Sequence, residues 1–149
     1  MALKIEDIKV KGYERVIHAT NETTKLDCVI AIHNTKLGPA LGGVRSWEYR
    51  NFEDQKKDTL KLSEAMTLKN SACGINFGGG KASINLNNIK KTPELYQSYA
   101  EAVEFLNGRY YTAGDVNTFV ISHKGEILFD KFNKVIKFEK HKNFSRIVS

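Results

Sequence analysis

Two lysines and one aspartate stand where proton chemistry could be done. Lys69 closes the run Met66-Thr67-Leu68-Lys69, Lys81 follows Gly78-Gly79-Gly80, and Asp115 follows Gly114. Glycines let a backbone approach a small ligand closely and leave N–H donors open. A lysine beside such a surface can pair with an anion or pass a proton, and a carboxylate can exchange one in return. The combination suits anion binding coupled to proton transfer. Each motif also has a plainer reading: a tight turn carrying a surface lysine, or a lysine at a helix end whose stem lies on apolar surface while its head reaches water. Gly38 to Gly43 form a second glycine-rich stretch of the same kind.

A phosphate-loop reading of the glycines fails on spacing. A phosphate-binding P-loop needs a glycine five residues before its Gly-Lys pair, where Ile75 stands, and Ala82 replaces the hydroxyl residue that would hold magnesium. The dinucleotide fingerprint fails at Ser83, which occupies the place of its third glycine. The residues after Lys81 alternate like a strand, so no helix N-terminus follows to receive a pyrophosphate.

The elements that must position these residues follow from punctuation and period. Tyr13 to Thr20 reads as a strand, Leu26 to His33 as a nearly unbroken apolar strand covered on both faces, and the polar residues between them as the turn of a hairpin. Leu41 to Trp47 is a further strand. Asn51 caps a helix running to about Ser71, with Asp54 in capping-box position. Thr59, Leu62, Met66 and Lys69, with Ala65 beside them, fall on one face at helical spacing. Ala82 to Leu86 alternates as a strand. Thr92, Pro93 and Glu94 open a second helix whose buried stripe is Leu95, Tyr99, Ala102, Val103 and Leu106, and Gly108 ends it. Arg109 to Ala113 is the next strand, which puts Asp115 at a strand end. The expected fold is α/β: a single domain with a mixed sheet flanked by helices.

The composition is that of an ordinary globular domain: 149 residues, 41% hydrophobic and 27% charged. No run approaches the roughly 18 consecutive apolar residues of a transmembrane helix, and Met1 to Asp7 lacks the apolar stretch of a secretory signal. Cys28 and Cys73 make neither a disulfide framework nor a four-ligand zinc site, so a cytoplasmic setting without a metal is expected. The net charge of +6 is carried mainly by residues 119–149. A basic tail can hold nucleic acid, but no recognised nucleic-acid motif accompanies it, and a solvated extension is the preferred reading.

The blocks Val29 to Thr35, Leu37 to Arg45, Met66 to Asn70, Gly74 to Lys81 and Gly108 to Val116 make the pattern specific. From about Tyr13 to Thr118 the chain resembles the N-terminal domain of the Glu/Leu/Phe/Val dehydrogenase family, its leucine dehydrogenases above all. The resemblance implies that Lys69 pairs with the substrate α-carboxylate, helped by the backbone near Gly42 and Gly43. It implies that Lys81 is the catalytic lysine that activates water, and that Asp115 exchanges protons with the substrate nitrogen. Leu41, Met66 and Ala113 resemble the walls of the side-chain pocket, whose apolar character suits a branched aliphatic amino acid better than glutamate. Around Asp115 the sequence departs from the family: Gly114 stands where an acid is usual, and Asn117 where a glycine is usual.

After Thr118 the resemblance ends, and the NAD-binding Rossmann domain of the family finds no counterpart. Residues 1–118 are accordingly expected to be the substrate and oligomerisation domain, with 119–149 a basic extension that reads as either a hairpin or a helix. Three functions fit. The chain is an amino-acid dehydrogenase reduced to its substrate domain and inactive alone, with NAD expected only for the full-length family and no cofactor site of its own. Alternatively, it is a non-enzymatic module that binds an amino acid or 2-oxo acid, or assembles with itself or a full-length relative. As a third reading, it is a decaying gene fragment. Neither a membrane nor nucleic acid is expected as a partner.

Overall fold

The computed structural model describes residues 2–114, together with the backbone of 119–121, 126–129 and 134–137. Strands β1 (Leu3–Asp7), β2 (Arg15–Asn21), β3 (Leu26–Asn34) and β4 (Ala40–Trp47) precede helix α1 (Phe52–Ala72). Strand β5 (Gly78–Asn85), helix α2 (Pro93–Phe105) and strand β6 (Tyr110–Gly114) follow. These six strands form one mixed sheet in the order β1-β2-β3-β5-β4-β6. The first four in that order are antiparallel neighbours, whereas β4 runs parallel to both β5 and β6. The expected α/β fold is what forms. β1 lies outside the sequence reading, because Lys4, Glu6 and Asp7 disguise a short edge strand held by its ladder to β2.

The two helices cover opposite faces of the sheet, and the alternation along β3 separates them. Cys28, Ile30 and Ile32 point into the main core with Leu95, Tyr96, Tyr99 and Val103 of α2. Val29 and Ala31 point the other way, toward Phe52 and Leu60 of α1. The predicted stripe of α2 is buried in full, and Thr92 caps the helix by accepting from Leu95 N at 3.1 Å. Asn51 caps α1 by accepting from Asp54 N at 2.8 Å.

The stripe of α1 differs from expectation. Its buried residues are Gln55, Thr59, Ser63 and Asn70, while Ala65 and Lys69 are exposed and Leu62 and Met66 half-buried. Apolar residues lead the search for a buried face, but here hydrogen bonds draw polar residues onto the sheet. Gln55 Nε2 donates to Asp27 O (3.2 Å) and Ser83 O (3.4 Å), and Ser63 Oγ donates to Ala31 O (2.9 Å). Thr59 Oγ1 donates to Gln55 O and lies 2.6 Å from Ser83 Oγ.

The backbones of β7 (Phe119–Ile121), β8 (Glu126–Phe129) and β9 (Lys134–Lys137) pair as a three-stranded antiparallel sheet, in the stretch for which the sequence leaves hairpin and helix open.

Candidate functional site

Gly78-Gly79-Gly80 is not a turn but the start of β5, buried along its whole length up to Ile84. A Cβ at Gly79 would lie 2.0–2.4 Å from the side chain and backbone of Thr67 on α1. One at Gly80 would meet Ala40 and the Tyr110 ring at 2.9 Å, and one at Gly78 the Asn34 carbonyl at 1.8 Å. The close approach that glycine permits is therefore made by the protein itself. This corrects the expectation that these glycines open their backbone to a ligand, and it disposes of a dinucleotide cradle at the same place. β5 itself, with neither a glycine turn nor a helix N-terminus directly after it, does not fit a dinucleotide.

Lys81 comes next on β5 and is only 7% exposed. Its strand neighbours Ala82 and Ile84 belong to the core under α2, and Ser83 is bonded to α1, so alternation puts Lys81 on the α1 face. Buried lysines are rare, because an ammonium loses its hydration there. Lys81 is the charged side chain buried most deeply among the described residues.

Strand β4 supplies the floor beside it. Leu41 pairs with Gly79 of β5 and Tyr111 of β6, while Gly42 and Gly43 pair with Thr112 and Ala113 of β6. The Tyr110 hydroxyl donates to Gly42 O (2.7 Å) and lies 3.2 Å from Gly43 O. A Cβ at Gly42 would collide with Gly80 O and lie 3.4 Å from Met66 Cγ, which places Met66 beside Gly42. Leu41, Gly42 and Met66 thus meet at the β4–β5 seam, while the backbone of Ala113 lies on the other side of β4, paired with Gly43.

Lys69 stands in the last turn of α1 with its side chain in solvent. Its neighbour Asn70 is buried and donates through Nδ2 to Leu41 O (3.1 Å) and Gly78 O (2.7 Å), so the turn carrying Lys69 lies against the same seam. Asp115 lies outside the described residues. The organising side chains that the sequence reading does not single out are Asn70, Tyr110 and the pair His33–Thr67 (Nδ1 to Oγ1, 2.7 Å). Of these, only Asn70 carries a sequence signal, a polar residue in phase with the buried positions of its helix.

A cleft of about 630 Å³ lined by Arg45, Trp47, Tyr49 and Asp58 lies elsewhere, and none of the site residues lines it. Its charges are answered internally, with Asp58 accepting from the Tyr49 hydroxyl at 2.6 Å and from Arg45 at 3.5 Å. Among the described residues no cluster of metal-ligating side chains occurs, and no helix is long and apolar enough to cross a membrane.

Residues 10–132 match the family model described as Glu/Leu/Phe/Val dehydrogenase, dimerisation domain. That range runs past Thr118 and takes in β7 and β8. The leucine dehydrogenase of Bacillus subtilis (strain 168) is 46% identical over 109 residues, which are 72% of this chain and 30% of that protein. The phenylalanine dehydrogenase of Lysinibacillus sphaericus is 44% identical over 116 residues, 76% of this chain and 30% of that one. Among solved structures, L-tryptophan dehydrogenase from Nostoc punctiforme superposes with a TM-score of 0.69 at 43% identity, over 72% of this chain and 32% of that chain. The chain spans about 30% of the length of the curated relatives it matches. Near-equal identity to relatives named for leucine, phenylalanine and tryptophan means that overall similarity does not select one side chain. A sheet of this topology, carrying these blocks in this order, makes the chain a member of the Glu/Leu/Phe/Val dehydrogenase family through its dimerisation domain.

Proposed function

We propose that this chain is the substrate-binding and oligomerisation part of an amino-acid dehydrogenase, whose reaction is NAD-dependent oxidative deamination of an apolar, branched-chain L-amino acid to its 2-oxo acid. The observation that carries the reading is Lys81, a lysine buried in β5 on the face of the sheet that α1 covers. A fold has no packing reason to bury an ammonium, whereas a general base is more effective where water is scarce.

In this reading Lys69 meets the substrate α-carboxylate above Gly42 and Gly43, and the charge-assisted contact both holds and orients the substrate. Lys81 takes a proton from the water that attacks the imino carbon, and Asp115 exchanges protons with the nitrogen. Leu41, Met66 and Ala113 border the substrate side chain. Such a wall separates substrates by only about 1–3 kcal/mol per methylene, so the preference is graded. The nicotinamide supplies hydride transfer when bound, and no residue described here is assigned to hold it. The chain alone is expected not to reduce NAD with any amino acid.

The test is calorimetric and thermal titration of the purified chain with leucine, phenylalanine, glutamate and their 2-oxo acids. A ligand at 100 times its Kd adds about 2.7 kcal/mol to stability. Stabilisation by the apolar 2-oxo acids that is weakened in Lys69→Ala supports the reading; a flat panel refutes it. The family model's description as a dimerisation domain favours a second role alongside the first, assembly with a second copy or with a full-length relative. Sedimentation of the chain as a monomer at all concentrations would remove that role.

A further inference from the structure

We propose that Asn70 is a positioning residue: its side-chain amide pins the last turn of α1 across the β4–β5 seam and so fixes the base from which Lys69 reaches over Gly42 and Gly43. The part concerning Lys69 rests on the substrate reading above.

Asn70 is 4% exposed, and both hydrogens of its Nδ2 are engaged, one on Leu41 O at 3.1 Å and the other on Gly78 O at 2.7 Å. Those carbonyls belong to neighbouring parallel strands, so a single amide ties the helix to two strands at once. The tie falls where the seam most needs one. The pairing of β4 with β5 passes from Leu41–Gly79 to Val44–Ala82 with no pair recorded at Gly42 and Gly43, whose carbonyls turn to the Tyr110 hydroxyl. An amide nitrogen with two donors and a short stem fits this place. Aspartate has the same shape but no donor when ionised, and alanine leaves two buried carbonyls without that partner.

The rest of the turn is closed around it. Lys69 O accepts from Cys73 N at 3.0 Å, and Asn70 O accepts from Ile75 N at 3.3 Å. One turn back, Thr67 rests on Gly79 and is bonded to His33 Nδ1. Lys69 itself is exposed, on a long side chain with several rotatable bonds. Where its ammonium can go is then decided by where its Cα is held, and Asn70 is the adjacent residue that holds it.

The experiment uses the full chain in four forms: unaltered, Asn70→Ala, Lys69→Ala and the double variant. Binding of 4-methyl-2-oxopentanoate is measured for each, together with amide hydrogen exchange. The proposal expects Asn70→Ala to weaken binding about tenfold while Lys69 is present and to add nothing in the Lys69→Ala background, the coupling of neighbours that act as a unit. Exchange should quicken over residues 66–75 and 41–43 but not in α2. Equal weakening in both backgrounds, or unchanged exchange in the last turn, overturns it. If the unaltered chain binds no 2-oxo acid, the substrate reading fails and exchange alone decides the pin: selective loosening supports it and unchanged protection refutes it. Should Asn70→Ala not fold, Asn70→Asp serves, with the last turn loosened near neutral pH and partly re-protected in acid, where a protonated carboxyl regains one donor. Loosening of Asn70→Asp that ignores pH counts against the donors being the cause.

Discussion

Replacing Gly79 by alanine separates the two meanings a glycine run can have. If the glycines of β5 exist to let a ligand approach, Gly79→Ala folds normally and loses binding. If they exist to let α1 approach, the variant fails in folding first. The added Cβ would stand 2.0 Å from Thr67 Oγ1, 2.1 Å from Thr67 N and 2.4 Å from Thr67 Cα. Ordinary contact begins near 3.4 Å, so the helix axis must retreat by about 1 Å or more, and no rotamer change relieves a collision with backbone. Overpacking of this kind costs about 1–3 kcal/mol. The retreat also strains two tethers on the same stretch of helix, His33–Thr67 at 2.7 Å and Asn70 to Leu41 and Gly78. A buried polar group left unpaired adds about 1–3 kcal/mol. A total near 4 kcal/mol is then expected, which at about 4 °C per kcal/mol for a domain of this size lowers Tm by about 15 °C. The control is Gly12→Ala, where no atom lies within 4 Å and only the left-handed backbone (φ 87°) is strained, at about 1–2 kcal/mol. Thermal melts followed by circular dichroism read both. A Gly79→Ala variant no less stable than Gly12→Ala refutes the packing account.

Further outcomes follow from single contacts. Asn51→Ala removes the cap that accepts from Asp54 N and should cost about 1 kcal/mol, read by denaturant titration. Cys28 is fully buried, and burial pushes its thiol pKa well up, whereas Cys73 is exposed; a thiol reagent should label Cys73 alone in the native chain and Cys28 only on unfolding. The Arg15 side chain, bonded to Asp7, holds the Asp7 carboxyl below its usual 3.8. A carboxyl lowered on folding stabilises above its unfolded pKa and stops doing so as pH falls through its folded one. The melting difference between the unaltered chain and Asp7→Asn should therefore be present at pH 5 to 7 and fade below about 4, and it should be small because Asp7 is largely exposed.

What the sequence makes legible is decided by how local the determining interactions are. Both helix starts are readable because a cap is settled within four residues: Asn51 with Asp54, and Thr92 with Pro93 and Leu95. The face of α2 is readable because it is buried by apolar residues at helical spacing. The face of α1 is not, since Gln55, Thr59, Ser63 and Asn70 are drawn inward by carbonyls and a hydroxyl on strands remote in sequence. The same holds for the glycines. Three in a row read locally as a turn, and only Thr67, Asn34 and Tyr110, brought up by the tertiary fold, turn them into strand. Lys69, Lys81 and the residues of β4 are found through the family blocks rather than through period or spacing. The structure adds that Leu41, Gly42 and Met66 meet at one seam, with Lys81 buried on the α1 face of the adjoining strand.

The contrast between the two helices has a physical logic. Apolar packing under α2, with Leu95 and Val103 fully buried, stabilises without fixing direction, because the hydrophobic effect depends on area and not on angle; direction there comes from the side-chain bonds of Tyr96 with Ser46 (2.5 Å), Tyr99 with Thr112 (2.6 Å) and Ser98 with Asn21 (3.3 Å). Hydrogen bonds under α1 contribute less net stability each, about 0.5–1.5 kcal/mol, but each demands a distance and an angle. A helix tied to the sheet side chain to side chain, as α2 is through Tyr96, Ser98 and Tyr99, has rotamers on both sides of each bond to adjust when it shifts. One held by Gln55 to Asp27 and Ser83, Ser63 to Ala31, and Asn70 to Leu41 and Gly78 cannot slide even one residue without breaking all of them. On the reading proposed here, α1 carries Lys69 and Met66 while the strand beneath carries Lys81, so the register between helix and sheet sets the reach between the group that binds the carboxylate and the group that moves the proton. Tied to the backbone carbonyls of the sheet, α1 is built to hold that position.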